Sequence, residues 1–385
     1  MTPIVPGRTV GLLGGGQLGR MLALEARRMG YRVGVLDPTP ACPAAQVADF
    51  HVASAFSDCQ QVLKFASCVD VVTVETELVP ADMLAEVAIH RPTQPPPSVL
   101  AIVQDRLRER QFLDEHGFPQ VSWAPILDAS MLAQAEERMT YPALLKTARS
   151  GYDGKGQVRV EHAGQLRQAW DAIHGVPAVL ESVVAFRMEL SVILARSATG
   201  EVEVFPVAEN VHRRHILHTT RVPAAVPDAV RSAAVDLAVA IADALAYCGV
   251  MAVELFVLDD QTLLVNEIAP RPHNSGHFTF GACTTSQFEQ HLRAICGLPL
   301  GDPALLHPVV MGNLLGDLWR NGPPRWESLL NHPRVRLHVY GKAHPRPGRK
   351  MGHVLLFDRN TDRALQEVEA LLQSLESSCE RREDA

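Results

Sequence analysis

The residues best placed to do chemistry lie in the run VMAVELFVLDDQTLLVNEIAPRPHNSGH. Two apolar, β-branched segments, Val250–Leu258 and Thr262–Ile268, flank the polar group Asp259, Asp260 and Gln261, the signal for a β-hairpin. With the turn centred between Asp260 and Gln261, Glu254 lies directly opposite Glu267, and both carboxylates point to one face of otherwise apolar strands. Like charges directly opposite destabilise a sheet, and burying them unpaired costs still more. A cation is therefore expected between them. Mg²⁺, a hard ion usually held by one or two carboxylates plus substrate phosphates, is the simple candidate. The competing reading is a surface hairpin with two solvated glutamates, and a one-residue slip in register would separate the pair.

Other stretches suit anions. Gly14-Gly15-Gly16-Gln17-Leu18-Gly19 follows the apolar strand Thr9–Leu13 and opens a helical pattern to Met29; Gly30 closes it, and a second strand, Tyr31–Leu36, ends at Asp37. This is a βαβ unit whose glycines match the dinucleotide fingerprint, with an acidic residue roughly 20 positions on. An NAD-type oxidoreductase is the first hypothesis it raises, yet a glycine turn at a helix N-terminus binds any phosphate, and a tight turn without ligand is the bland alternative. Ser150–Gln157, SGYDGKGQ, lacks the P-loop spacing but offers free backbone N–H groups beside Lys155, a phosphate cradle or a simple mobile turn. Lys146, inside the apolar ALLKT, requires an anionic partner unless it snorkels to water. Glu181 before an apolar connector, with Glu189 eight positions on, suits a purine edge and ribose hydroxyls. Glu75 and Glu77 leave the strand Asp70–Val74 at its C-terminal end, which faces the ligand crevice in open α/β sheets. Gly341–Lys350, GKAHPRPGRK, is a basic loop in an acidic protein and suits an anionic substrate group.

The elements that must position these residues follow from pattern. The 385 residues, 47% hydrophobic, can bury two or three cores. A net charge of −7 argues against nucleic-acid and anionic-membrane partners. No apolar run is long enough to span a bilayer, and the N-terminus lacks the pattern of a signal peptide. Seven cysteines without a CxxC motif suit a reduced cytosolic protein with no disulfide framework or structural zinc. Arg91–Pro97, RPTQPPP, reads as a stiff linker; Ser98 then caps a helix through about His116 that carries Gln104, Asp105 and Arg106. Asp228–Tyr247 is amphipathic. Strands return at Val335–Tyr340 and His353–Phe357, and the tail after about Ser377 is charged.

Together these stretches resemble the ATP-grasp superfamily and, within it, the 5-(carboxyamino)imidazole ribonucleotide synthases of purine biosynthesis. The runs that carry the resemblance are GGGQLGRM at Gly14–Met21, GYDGKGQ at Gly151–Gln157, NEIAPRPHNSGH at Asn266–His277 and RPGRKMGH at Arg346–His353. It implies a mixed α/β and α+β fold: an N-terminal Rossmann-like domain over 1–97, an ATP-grasp unit clamping ATP over 98–297, a β-rich extension over 298–377 and a disordered tail over 378–385. It also implies a cytoplasmic homodimer with no nucleic-acid or membrane partner. The implied activity is carboxylation of 5-aminoimidazole ribonucleotide with bicarbonate, ATP and Mg²⁺, through carboxyphosphate.

Carried over by position, Arg106, Lys146 and Gly151, Tyr152, Asp153, Gly154, Lys155, Gly156 and Gln157 resemble nucleotide contacts. Glu181, Ser182, Val183 and Val184 fall at the adenine edge and Glu189 at the ribose, while His212, Asn266 and Glu267 are further nucleotide contacts. Strand alternation points Asn266 away from the glutamate face. Glu254 and Glu267 resemble the Mg²⁺ ligands. Gly16, Gln17, Leu18, Glu75, Tyr152, Asp153, Lys342, Arg349 and Lys350 resemble the ribonucleotide site, with Arg106 and Lys146 offsetting phosphoryl charge and Asp153 accepting the amine proton. Two departures stand out: Glu181-Ser182 replaces paired glutamates, and His215 replaces a glycine. The alternatives are an NAD(P)-dependent oxidoreductase, in which Asp37 binds ribose, another ATP-grasp carboxylase or formyltransferase of purine metabolism, and a non-catalytic nucleotide-binding module. In the ligase reading Asp37 is an ordinary strand exit, and the glycine turn offers its N–H groups to the ribonucleotide phosphate.

Overall fold

The computed structural model describes residues 2–149, 151 and 156–380. The first five strands, β1 (Thr9–Leu13), β2 (Arg32–Leu36), β3 (Phe50–Val52), β4 (Val71–Val74) and β5 (Thr93–Gln94), form an all-parallel sheet in the order β3-β2-β1-β4-β5. Their near-continuous apolar runs reflect burial on both faces. Val10, Leu12, Val33 and Val35 pack on one side with Met21 and Leu22 of helix Gln17–Arg28. Part of the expected linker is structural: Thr93 and Gln94 pair with Val72 and Thr73.

The single helix expected from Ser98 to His116 is two helices, Pro97–Val103 and Arg106–Glu115. The Asp105 side chain accepts the Leu107 N–H at 3.1 Å as an N-cap. A short acidic side chain competes with the helical ladder in this way and starts a new helix. The break sets Arg106 at the head of the second helix, its N–H donating to the Ala148 carbonyl at 2.9 Å.

Strands β6 (Trp123–Ile126), β7 (Ala143–Thr147), β8 (Gln157–Val160) and β9 (Ala178–Ser182) form a small antiparallel sheet in the order β6-β9-β7-β8. The remaining strands build a nine-stranded antiparallel sheet: β10 (Met188–Arg196), β11 (Val202–Val204), β12 (Ala208–Arg213), β13 (Ile216–Val222), β14 (Gly249–Val257), β15 (Leu263–Ala269), β16 (Val309–Leu315), β17 (Val335–Val339) and β18 (Lys350–Phe357). Its order is β15-β14-β10-β12-β13-β16-β18-β17, with β11 beside β10. The C-terminal strands thus continue the same sheet through the β13–β16 pair. Helix Asp228–Ala244 covers it, burying Val230, Ala234, Ala238 and Ile241 against Val192 and Val253.

Helix Gln287–Ile295 lends Phe288, Leu292 and Ile295 to the N-terminal core. Its buried His291 ties the two large sheets: Nε2 lies 2.8 Å from Thr73 Oγ1 on β4, and Nδ1 accepts the Val250 N–H on β14 at 3.0 Å. No helix among the described residues is long and apolar enough to cross a membrane.

Candidate active site

Charged residues gather where Arg110 joins β9 of the small sheet to β15 of the large one. Glu254 pairs with Glu267 as the hairpin pattern predicts, but the route differs. Gln261 has φ +70°, and the Leu258 N–H donates to the Thr262 carbonyl, so the loop has three residues and centres on Asp260. Near the turn Leu255 faces Val265; a bulge at Asn266 then restores Glu254 to Glu267. A bulge places two residues against one and re-aims side chains. Asn266 accordingly points toward the glutamates, not away from them as alternation predicts: its Nδ2 lies 3.5 Å from Glu254 Oε2.

Glu254 is 8% exposed, whereas Glu267 is exposed. Burial, then the facing Glu267, push the Glu254 carboxyl well above the usual range, against His212. His273, whose burial holds it neutral, places Nε2 3.7 Å from Glu254 Oε1. Ligand atoms of Glu254, Glu267 and His273 all lie within 4.8 Å of one another. Two carboxylates of which one is buried against its like charge, with a neutral imidazole and an amide beside them, fit a hard divalent ion.

On the small sheet Lys146 of β7 has the partner its setting demands. Its Nζ donates to Glu181 Oε2 at 2.6 Å, and Arg110 Nε donates to Glu181 Oε1 at 2.8 Å. Glu181, expected at the adenine edge, therefore neutralises two cations. Despite burial, Arg110 and Lys146 hold its carboxyl down at about 2. Removing it by Glu181→Leu takes from buried Arg110 its ion-pair partner and leaves it only the more distant support of Glu109 and Glu267, an expected loss of up to about 3–5 kcal/mol in chemical denaturation; an unchanged unfolding midpoint would contradict this triad.

Arg106 donates to the carbonyls of Thr147 (3.2 Å) and Gly151 (3.0 Å), at the mouth of the glycine-lysine loop. Gly156 closes that loop in a left-handed conformation, φ +71°, its carbonyl accepting the Thr147 N–H at 2.8 Å, and Gln157 pairs with Lys146. Tyr152, Asp153, Gly154 and Lys155 lie outside the described residues. Ser182 Oγ donates to the Thr140 carbonyl at 3.1 Å and the Val183 N–H to that of Pro142 at 2.9 Å; Val184 is half-buried. Glu189 and His212, on adjacent strands, meet at 2.7 Å. Burial opposes the charge on His212, but Glu189 more than offsets it and raises the pKa.

The glycine turn is engaged internally. Gly15 N–H donates to Asp37 Oδ2 at 2.8 Å and Gly19 N–H to Glu75 Oε2 at 3.0 Å. Asp37 thus clamps the turn and is more than an ordinary strand exit, and two N–H groups of the glycine turn serve carboxylates. A Cβ at Gly15 would lie 2.1 Å from Cys42 Sγ, so only glycine fits there. Burial raises Glu75 to about 7, against the amides of Gly19 and Gly16 and the charge of Arg271. Gly16 N-caps helix Gln17–Arg28 without a side-chain cap, and Leu18 packs into the core. Lys342 reaches over the turn: its Nζ donates to Gln17 Oε1 and to the Lys350 carbonyl, each at 2.6 Å. Arg349 braces the basic loop through the His344 carbonyl at 2.7 Å.

Arg110 was not singled out by the sequence patterns, and Arg271 and His273, though part of the donor-rich run NEIAPRPHNSGH, were given no role of their own. Arg271 Nε lies 2.8 Å from Glu77 Oε1, and the charges of Glu77, Glu75 and Glu267 offset the cost of burying it, which links the glycine turn to the glutamate pair. The spacing of Arg106 and Arg110, four apart on one helix face, was the available signal for Arg110.

Three family models cover most of the chain: the ribonucleotide synthetase preATP-grasp domain over residues 7–104, the ATP-grasp domain over 111–288 and the phosphoribosylaminoimidazole carboxylase C-terminal domain over 309–367. The N5-carboxyaminoimidazole ribonucleotide synthase of Bacillus subtilis is 43% identical over 368 residues, 95% of each chain. The chain belongs to the N5-carboxyaminoimidazole ribonucleotide synthase family. Among solved members of this synthase family, an ADP complex superposes with TM-score 0.91 at 40% identity, covering 99% of this chain and 100% of that one. The Aspergillus clavatus synthase in complex with ADP and 5-aminoimidazole ribonucleotide superposes with TM-score 0.87 at 33% identity, covering 96% and 99%. The ATP-grasp architecture with its N-terminal and C-terminal domains is therefore the fold of this chain.

Proposed function

We propose that this chain carboxylates 5-aminoimidazole ribonucleotide on its exocyclic amine, using ATP and bicarbonate and releasing ADP and phosphate. Membership of the synthase family supports the reaction. The observation that carries the site assignment is the 2.6 Å contact between Lys342 and Gln17, 325 positions apart, which closes the basic loop over the glycine turn. The ribonucleotide phosphate sits there, at the N-terminus of helix Gln17–Arg28, among Gly16, Gln17, Leu18, Lys342, Arg349 and Lys350. Glu75 holds the turn from beneath.

Bicarbonate is a poor electrophile, so ATP phosphorylates it to carboxyphosphate before the amine attacks. Among the described residues Lys146 uses one of its three donors, on Glu181, which aims the ammonium while others face the phosphates. Arg106 supports the mouth of the loop that covers them. Glu254 and Glu267, with Asn266 beside them, would hold Mg²⁺. When bound, this ion neutralises charge on the transferring phosphoryl group. Glu189 and His212 orient the ribose, and Ser182, Val183 and Val184 border the base. Asp153 remains the proposed acceptor of the amine proton. The enzyme is read as a cytoplasmic homodimer, which light scattering on the purified protein tests.

Phosphate release measured while omitting one component at a time tests the reaction. Full turnover without the aminoimidazole ribonucleotide would refute the substrate. Calorimetry separates the oxidoreductase alternative: the engagement of Gly15 by Asp37 and Gly19 by Glu75 supports the expectation of no NAD or NADP binding at micromolar concentrations, with Mg-ATP binding tightly.

A further inference from the structure

Glu109 and Arg110 are 4% and 2% exposed, and both end on the outer edge of β15, the last strand of the large sheet. Arg110 Nη1 donates to the Val265 carbonyl at 3.4 Å, and its Nη2 to the Asn266 carbonyl at 2.5 Å. Glu109 Oε1 accepts the Ile268 N–H at 2.8 Å. These groups bracket the bulged residue Asn266 and its neighbour Glu267. An edge strand leaves N–H and C=O groups unpaired, and a bulge disrupts the ladder further; buried without partners, such groups are costly. The Pro119 carbonyl accepts the Val265 N–H at 2.8 Å, and beyond that point two charged side chains of one helical turn supply the partners. The same Arg110 guanidinium grips Glu181, which in turn holds Lys146.

We infer that Glu109 and Arg110 are positioning residues for the metal–nucleotide site. They lock the bulge so that Glu267 and Asn266 stay on the Glu254 face, and through Glu181 they set Lys146 opposite. The inference rests on the proposed metal role of Glu254 and Glu267. It follows from register: without the bulge the stretch shifts by one residue, and Glu267 leaves that face. It also explains why an arginine stands there. A planar fork reaches a carboxylate and two carbonyls at once, which the compact ammonium of lysine cannot.

The test titrates Mn²⁺ into the full-length protein with a non-hydrolysable ATP analogue, reading free ion by electron paramagnetic resonance, and measures ribonucleotide affinity separately by calorimetry. Arg110→Lys is expected to weaken Mn²⁺ binding by about 10–100-fold, the usual effect of removing a residue that supports a metal ligand, with ribonucleotide affinity unchanged. Glu109→Gln, whose amide oxygen still accepts the Ile268 N–H, should stay near the parent, while Glu109→Leu should behave like Arg110→Lys. A folded Arg110→Lys protein with parental Mn²⁺ affinity overturns the inference, as does an equal loss of ribonucleotide affinity. Should Arg110→Lys not fold, equal Mn²⁺ affinities for the two Glu109 variants overturn it instead. Glu267→Gln serves as reference: parental Mn²⁺ binding there would refute the metal assignment itself, a failure distinct from that of the clamp.

Discussion

Glu254→Gln or Glu267→Gln is expected to lower ATP turnover by about a hundredfold or more, the scale on which losing an electrostatic partner of the reacting group acts, while the metal-free protein stays folded. The two carboxylates face each other across β14 and β15, so removing one charge relieves repulsion. For Glu254 the sign of the pH dependence follows. Its folded-state pKa is raised above the usual carboxylate value of 4.5 by burial and by Glu267, so the folded state holds the proton more tightly than the unfolded chain. Stability is then full below about pH 4.5 and falls as pH rises through the folded pKa. Without metal, the Glu254→Gln protein should therefore melt at or above the parent at about pH 8, the difference shrinking toward pH 5. Thermal unfolding at both values checks this, and turnover checks the rest. Near-normal activity at ordinary Mg²⁺ would show that this pair is not the metal site.

Changing Lys342 to Met, or Arg349 to Ala, should weaken ribonucleotide binding by about ten- to a hundredfold. Charge-assisted contacts to a phosphate are worth about 1.5–3 kcal/mol each. Mg-ATP binding should hold, because Lys342 contacts Gln17 and Lys350 while the residues proposed for the nucleotide lie on β7, β9, β10, β12 and β15 and at the head of helix Arg106–Glu115. Separate titrations of the two ligands decide it; equal losses would mean that the loop supports the fold or the nucleotide instead. Lys342→Met also removes the donor to Gln17, so Gln17→Ala should reproduce a part of its effect.

Much of this site was legible before any coordinates. The apolar strands VMAVELFV and TLLVNEIA and their hairpin were legible from alternation, and the Glu254–Glu267 pair was reached from a turn centred half a residue too late, an offset that the bulge at Asn266 makes good. Lys146 among aliphatics demanded an anion. Its identity was not legible: Glu181 is 35 positions away, on a strand that pairs with β7 only once the small sheet forms. Asn266 was placed on the wrong face because alternation assumes an unbroken ladder, and the bulge depends on what meets the strand's outer edge. Glycine spacing likewise suggested free amides at Gly15 and Gly19, but whether amides face a ligand or a carboxylate is decided by which loops close over them. Asp37 and Glu75 do so from neighbouring strand ends.

The sequence by itself therefore determined the kinds of chemistry available. It held a glycine turn at a helix N-terminus, a glycine-lysine loop, a carboxylate hairpin and a basic C-terminal loop, each set by local conformational preference and side-chain period. The tertiary structure decided the partnerships among them: Lys342 with Gln17, Arg110 with Glu181 and the β15 bulge, and Arg271 beside Glu77. Such pairings join residues far apart in the chain. They depend on how three sheets dock and on which buried charges must find one another to offset desolvation, and no local pattern encodes that.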